Sequence, residues 1–144
     1  MTKNSSAIDF FINLGRTQTV LSNYFDRRLG GIGFNEFLIL YFIEQSEEQK
    51  MRRIDLANKV GLTASGVTRL LLPMEKVHLV RSGEARDDAR ARLVSVTSAG
   101  REKLTEALER LEIIGEEFFL QQKNIEIKKM TEILSKIFGQ ILLN

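Results

Sequence analysis

Two short helical patterns meet at a glycine in the middle of the chain, and this junction restricts the fold more than any other feature. The first pattern, residues 53–60, places its apolar side chains on one face and ends at Gly61, a residue that favours the C-terminal end of a helix. Thr63 is a typical N-cap, so a second helix is expected to start directly after it. The sequence therefore predicts a helix, a tight turn and a second helix.

The second helix is predicted to have a core face and an outward face. Its core face carries Val67, Leu70 and Leu71. Its outward face carries Ser65, Thr68 and Arg69. The first turn, residues 64–66, holds only small side chains, which let a backbone or a phosphate approach closely. Pro73 predicts a bend, but the buried spacing continues over residues 74–77, so the helix is expected to resume.

After Leu79 the apolar period changes from helical to alternating, which indicates two strands. Residues 79–81 lead outward, residues 91–96 return, and the loop between them, residues 82–90, is polar and charged. The order helix, turn, helix and β-hairpin predicts a winged helix-turn-helix, in which one helix lies in the major groove of DNA. The expected fold class is mainly α, with the β structure supplied by the wing.

Further helices are predicted on the N-terminal side of this unit. Residues 7–29 have the apolar spacing of a long amphipathic helix, and two consecutive glycines follow it. A second helix is expected to start at Gly33, with Glu36 at its third position. Residues 37–43 are apolar nearly all round, which indicates a buried helix, and residues 44–50 are interpreted as a solvated linker.

The C-terminal part, residues 98–144, repeats apolar residues at a spacing of three and four. So much apolar surface would be a liability in a monomer. We therefore expect residues 1–32 and 98–144 to form a helical dimerisation region, and residues 33–97 to form the DNA-binding domain.

Composition limits the chemistry that the chain supports. Its 144 residues suffice for one folding unit, and they include no cysteine and a single histidine, His78. These counts exclude a disulfide framework, a thiol switch and a cysteine-based metal site, and no cofactor is expected. There is no phosphate loop, nucleophile elbow or histidine–metal spacing, so we do not expect an enzyme. The absence of a signal-like N-terminus or a long apolar run predicts a cytoplasmic protein that is not bound to a membrane.

Charge is concentrated in the middle of the chain. Residues 51–103 carry eleven basic and six acidic side chains, a net charge of +5, whereas the whole chain has a net charge of only +2. A positive centre between negative ends is typical of a surface that faces phosphates, although an uneven distribution can also arise by chance.

Four motifs in the predicted helix-turn-helix and wing resemble the MarR family of bacterial transcriptional regulators. They are GLTxSxVTRL at residues 61–70, MEKxxLV at residues 74–80, DxR at residues 88–90 and VxVTxxG at residues 94–100. The resemblance extends over the whole chain in length and element order. It implies a homodimer whose N- and C-terminal helices interlock and whose two winged domains project towards DNA.

The resemblance also implies which residues contact DNA. In such proteins the second helix of the motif reads the major groove, and here that helix supplies Thr63, Ser65, Gly66, Thr68 and Arg69. An arginine at the wing tip enters the minor groove, which corresponds to Arg90, with Asp88 to orient it and Arg86 as an alternative contact.

The chain departs from the family pattern at three positions. Ala89 stands where many members have an arginine, which predicts weaker non-specific affinity. His78 replaces the usual glycine after the second helix, and Arg52 replaces a capping serine or threonine. None of the three conflicts with the predicted fold.

Members of this family bind small, often aromatic, effectors between the dimer helices and the winged domain. The residues predicted to line such a pocket here are Phe10, Phe11, Leu14, Phe37 and Tyr41. The alternative is that these aromatic residues only form the core.

The resulting hypothesis is a homodimeric repressor that binds a pseudo-palindromic operator in double-stranded DNA and is released by a small-molecule effector. Its half-sites are expected about one helical turn, ~10 bp, apart. Two alternatives stay open: a winged-helix module that binds protein, and a transcriptional activator without a ligand.

Overall fold

Six α-helices and a small three-stranded sheet make up residues 5–83 and 92–143, which the computed structural model describes. The helices are α1 Ser5–Asp26, α2 Phe34–Gln45, α3 Arg53–Val60, α4 Ala64–Lys76, α5 Ser98–Phe118 and α6 Asn124–Leu143. The strands are β1 Lys50–Arg52, β2 Val80–Ser82 and β3 Leu93–Val96. The predicted class, mainly α with a winged helix-turn-helix, is confirmed. Helix α4 continues through Pro73, as the spacing of its apolar residues predicts.

The sheet has the strand order β1-β3-β2, and both pairs are antiparallel. Val94 is central, because it pairs with Met51 on one side and with Ser82 on the other. The interpretation of residues 44–50 as a solvated linker was wrong at both ends, since Glu44 and Gln45 belong to α2 and Lys50 begins β1 and pairs with Ser95. The wing hairpin is thus the outer part of a sheet whose third strand precedes α3.

The chain divides into two compact units, Met1–Arg110 and Leu111–Asn144. In the first, which we call unit 1, apolar side chains from α2, α3, α4 and β3 are completely buried, among them Leu40, Ile43, Leu56, Leu71 and Val94. Hydrogen bonds fasten the start of α5 to this unit: Lys103 Nζ donates to the Gly30 carbonyl oxygen at 2.9 Å, and Arg101 Nε donates to Glu44 Oε2 at 3.2 Å. Unit 1 therefore includes the first turns of α5.

Unit 2, Leu111–Asn144, comprises the last turns of α5 and all of α6. None of the described side chains of α6 is buried. Its exposed apolar residues are Ile125, Met130, Ile133, Leu134, Phe138, Ile141, Leu142 and Leu143. None of the described helices combines the length and the apolar character needed to cross a membrane.

Candidate nucleic-acid interface

Helices α3 and α4 are joined by a turn that only a glycine adopts easily. Gly61 has a φ of +79°, in the left-handed region, and its N–H donates to the Ala57 carbonyl oxygen at 2.9 Å. The N–H of Leu62 donates to the same oxygen at 3.0 Å. These bonds end α3 and turn the chain into α4, so the predicted helix-turn-helix is present.

Thr63 caps α4 as the sequence predicts. Its hydroxyl oxygen accepts the N–H of Gly66 at 3.1 Å and lies 3.2 Å from the hydroxyl of Ser65. Thr63 and Ser65 are exposed, and a Cβ on Gly66 would lie only 3.1 Å from the Thr63 hydroxyl oxygen. The first turn of α4 thus presents small, polar residues, which let another molecule approach its backbone closely.

The next turn of α4 adds a hydroxyl and a guanidinium to the same outward side. Val67, Leu71 and Met74 face the core, whereas Thr68 is half-buried and Arg69 is exposed. Within the part of the chain that the structure describes, Arg69 makes no hydrogen bond or ion pair. Its five donors are therefore available to an external acceptor.

Arg53 is a member of this surface that the sequence did not reveal. It is the first residue of α3, and its Nη1 donates to Thr68 Oγ1 over 3.4 Å. Its Nε is buried and has no partner among the described residues. The contact links the first turn of α3 to the outward face of α4 and occupies one lone pair of the Thr68 hydroxyl. Sequence spacing gives no sign of it, because the two residues belong to different helices.

Arg52 precedes α3 and is held by Asp55. The two side chains form a bidentate pair, with Nε donating to Oδ2 at 2.8 Å and Nη2 donating to Oδ1 at 3.3 Å. This hydrogen bonding, followed by the charge attraction of Asp55, raises the pKa of Arg52 above its ordinary value. As predicted, Arg52 provides no side-chain cap for α3.

Thr97 fixes the base of the wing. Its hydroxyl lies 2.5 Å from the carbonyl oxygen of His78 and 3.1 Å from that of Leu79, and it accepts the N–H of Gly100 at 3.0 Å. His78 has a φ of +60°, which agrees with its predicted turn conformation in place of a glycine. One threonine thus joins the end of α4 to the start of α5.

An open cleft of about 630 Å³ lies beside this base, and its lining includes the basic side chains of His78, Arg81 and Arg92. Glu75 is the one carboxylate among the described residues of the lining, and it accepts a hydrogen bond from Ser82. The three residues that the sequence analysis assigns to the wing contact, Arg86, Asp88 and Arg90, lie outside the described residues.

A second cavity, of about 460 Å³, lies among α1, α2 and the turn between α3 and α4. Its lining residues are Leu14, Thr17, Gln18, Leu21, Ser22, Phe25, Phe34, Asn35, Leu38, Val60, Gly61 and Leu62. Of the five residues predicted to line an effector pocket, Leu14 is in this lining. Phe25 and Phe34, whose ring centroids are 4.8 Å apart, supply its aromatic surface instead.

The other four predicted pocket residues lie elsewhere. Phe10 and Phe11 are exposed on α1, with their rings edge to face at 5.5 Å. Phe37 is buried and lies between Phe34 and Tyr41, with centroid distances of 5.7 Å and 6.0 Å. None of these four residues is among the described residues that line the cavity of about 460 Å³.

Comparison with solved structures identifies the fold. The chain superposes with a TM-score of 0.80 on the transcriptional regulator BldR from Sulfolobus solfataricus, at 25% identity and over 97% of this chain and 99% of that one. The MarR family transcriptional regulator Sco3205 from Streptomyces coelicolor, solved in complex with DNA, gives a TM-score of 0.80 at 19% identity, over 98% and 93% of the two chains. The Mycobacterium tuberculosis regulator MOSR, also solved with DNA, gives a TM-score of 0.71 at 23% identity, over 90% and 96%. No sequence model of a protein family and no curated protein sequence matches the chain.

These superpositions cover nearly the whole of each chain, from the N-terminal helix to the C-terminal helix. The fold is that of the MarR family transcriptional regulators, and at this level the resemblance noted in the sequence is confirmed.

Proposed function

We propose that this chain, which has the fold of the MarR family transcriptional regulators, is a member of that family and a sequence-specific regulator that binds double-stranded DNA. The outward face of α4 carries the proposal. It begins with a capped first turn of small residues and presents Ser65, Thr68 and Arg69 on one side, and Arg69 has no partner among the described residues. Arginine is the most frequent bidentate reader of guanine, and hydroxyl groups serve either base type. The proposal assigns the chain no catalytic activity.

Contacts to phosphates would supply most of the affinity. The basic side chains of the wing base, His78, Arg81 and Arg92, flank the C-terminal end of α4. The assignment of Arg90 to the minor groove, with Asp88 and Arg86 beside it, is part of the same proposal. Such contacts position a protein on DNA, whereas contacts to base edges specify the sequence.

We further propose that two copies of the chain bind together, as a homodimer on a pseudo-palindromic operator. Helix α6 exposes an apolar face along its length, and in α1 the N-terminal half exposes Ile8, Phe11 and Ile12. Surfaces of this kind are typical of interfaces that a partner covers. We assign residues 1–32 and 98–144 to dimerisation and residues 33–97 to DNA binding, and expect the dimer to act as a repressor in the bacterial cytoplasm.

The cavity of about 460 Å³ is our proposed site for a small aromatic effector that releases the repressor. Its lining includes Gly61 and Leu62, the two residues that precede the cap of α4, as well as the aromatic pair Phe25 and Phe34. An occupant would therefore contact the turn that orients the reading helix. It changes DNA affinity only if it binds one arrangement of the two reading helices better than the other.

The test is binding to duplex DNA selected from a random-sequence pool, measured over a range of salt concentrations. We expect affinity to fall steeply with added salt, and Arg90→Ala to reduce the slope of log affinity against log salt by about one. Arg69→Ala should abolish the preference for the selected site over random DNA, because it removes a base contact and leaves the phosphate contacts in place.

Arg27→Ala is the matched control, since Arg27 is an exposed arginine on the last turn beyond α1 and lies outside the proposed DNA surface. It should leave the sequence preference unchanged. A wild-type protein that selects no sequence, or whose binding does not depend on salt, would contradict the proposal and favour the winged-helix module that binds protein.

A further inference from the structure

A leucine on the outward side of α4 is exposed, although the leucine that precedes it is buried. Leu71 is completely buried, whereas the adjacent Leu72 is 51% exposed. Pro73, which follows it, is exposed as well. The third turn of the reading helix therefore ends in an apolar surface that the described part of unit 1 leaves uncovered.

Helix geometry places Leu72 on the same side as the polar residues assigned to base reading. It follows Ser65 by seven residues, which is two turns, about 10 Å along the axis and about 20° round it. Thr68 and Arg69 lie between them at the i+3 and i+4 positions that form one face of a helix. Ser65, Thr68, Arg69 and Leu72 thus form a single strip.

The surroundings of Leu72 restrict what can cover it. Its neighbours one turn away along the helix are Thr68, Arg69, Glu75 and Lys76, so the exposed apolar surface is bordered by polar groups. The apolar face of α6 is different, because it continues over the length of the helix. A partner helix would need a broad face of that kind, whereas Leu72 presents one apolar side chain between polar neighbours, which suffices for contact with a single methyl group.

The major groove offers one apolar group, the C5 methyl of thymine. We propose that Leu72 is a specificity-determining residue that contacts the methyl group of a thymine in each operator half-site, next to the base read by Arg69. This inference rests on the proposed DNA-binding function and adds to it the chemical identity of one base. Leu72 contributes no hydrogen bond, so its contact distinguishes thymine from other bases only through the methyl group.

The experiment replaces thymine by uracil, which lacks the methyl group and keeps the same hydrogen-bonding groups. The duplex that wild-type protein selects from a random pool is synthesised with each thymine replaced in turn. We expect one position in each half-site at which uracil lowers wild-type affinity about fourfold, the effect of exposing one buried methyl group. At every other position the replacement should have little effect.

Variants of Leu72 assign that position to this side chain. Leu72→Ala should bind the thymine duplex about as weakly as wild type binds the uracil duplex, and should not distinguish the two. Leu72→Met keeps an apolar contact and should still distinguish them. Val77→Ala is the matched control, since Val77 is 62% exposed at the end of α4 and lies about 140° round the helix from Leu72. It should retain the wild-type pattern.

The outcomes separate this inference from the function on which it rests. A wild-type protein that selects a site but is insensitive to uracil at every thymine overturns the inference alone. A difference between thymine and uracil that survives in Leu72→Ala also overturns it, because another residue then contacts the methyl group. If the wild-type protein selects no sequence, the DNA-binding proposal and this inference both fall.

Discussion

The two units of the chain use amphipathic helices in opposite ways. In unit 1, α2 and α4 bury Leu40, Ile43 and Leu71 completely, and the sheet completes the same core. In unit 2, all 20 residues of α6 are described and none of them is buried, although the helix repeats apolar residues as regularly as α4 does. An apolar stripe therefore shows that a helix face needs to be covered, but it does not show whether the same chain covers it.

The difference has a thermodynamic consequence. The core of α2, α3, α4 and the sheet derives its stability from contacts within one chain, whereas the proposed dimer contacts of α1 and α6 make the stability of those helices depend on a second copy. Stability that comes from association depends on protein concentration, and stability from an intramolecular core does not. The contrast can therefore be tested with substitutions of the same type in the two units.

The largest expected effect comes from a matched pair of leucine-to-alanine substitutions. Leu71→Ala removes a fully buried side chain and should lower the free energy of unfolding by about 2–5 kcal/mol. Leu134→Ala removes a side chain that is 43% exposed on α6, and it should raise the dissociation constant of the dimer about tenfold or more. Denaturant unfolding measures the first effect, and sedimentation equilibrium of the 16.5 kDa chain measures the second.

Each variant is the control for the other. Leu71→Ala should leave the dissociation constant nearly unchanged if its folded state persists. A wild-type protein that stays at the mass of one chain at all concentrations would remove the proposed difference between the units. It would also leave the apolar face of α6 without an explanation.

The sequence predicted the helix-turn-helix well because its signals are local. Gly61 and Thr63 act on neighbouring residues, through a left-handed turn and a cap, and both are present as expected. Features that depend on distant partners were missed. Strand β1 has three residues, and its single apolar side chain, Met51, gives no periodic pattern; the strand exists because β3 lies beside it.

The same reason explains what the sequence did not reveal around the candidate site. The contact of Arg53 with Thr68 joins two helices, and the lining of the cavity depends on how α1 meets α2, so residue spacing predicts neither. The sequence also could not place the boundary between the two units, which falls within α5. Periodicity runs evenly through α5, whereas tertiary contacts, among them those of Arg101 and Lys103 and the burial of Leu104 and Ala107, assign its first turns to unit 1.

A smaller effect is expected from a pair of glycines. A Cβ on Gly100 would overlap the carbonyl oxygen of Leu79 and lie 2.6 Å from Val96 Cγ1, so Gly100→Ala should lower the free energy of unfolding by about 1–3 kcal/mol. A Cβ on Gly139, in α6, meets no atom within 4 Å among the described residues. Gly139→Ala should therefore raise helix stability by about 0.5–1 kcal/mol.

Thermal unfolding of both variants against wild type measures this difference. If Gly139→Ala lowers the free energy of unfolding as much as Gly100→Ala does, the backbone of a second copy must pack directly against Gly139. Both glycines would then permit close backbone packing, Gly100 within one chain and Gly139 between two chains.

The smallest expected effect concerns the two ion pairs that Glu106 forms within α5. Glu106 accepts hydrogen bonds from Lys103 Nζ at 3.5 Å and from Arg110 Nη2 at 3.2 Å, and Lys103 also donates to the Gly30 carbonyl oxygen. The charge of Lys103 is the main cause that lowers the pKa of Glu106, and the hydrogen bonds from Arg110 and Lys103 lower it further. The carboxylate is exposed, so the stabilisation is small and salt weakens it.

Because the folded-state pKa of Glu106 is lowered, its contribution to stability is present above the unfolded-state pKa and is lost as the pH falls through the folded-state pKa. Glu106→Gln should therefore be less stable than wild type at neutral pH, and the difference should shrink as the pH falls below the unfolded-state pKa of about 4.3. Glu109→Gln, which removes a carboxylate on the same helix that takes part in none of these hydrogen bonds, should show no such pH dependence. Equal pH profiles for the two variants would mean that the contacts of Glu106 with Lys103 and Arg110 contribute nothing measurable to stability.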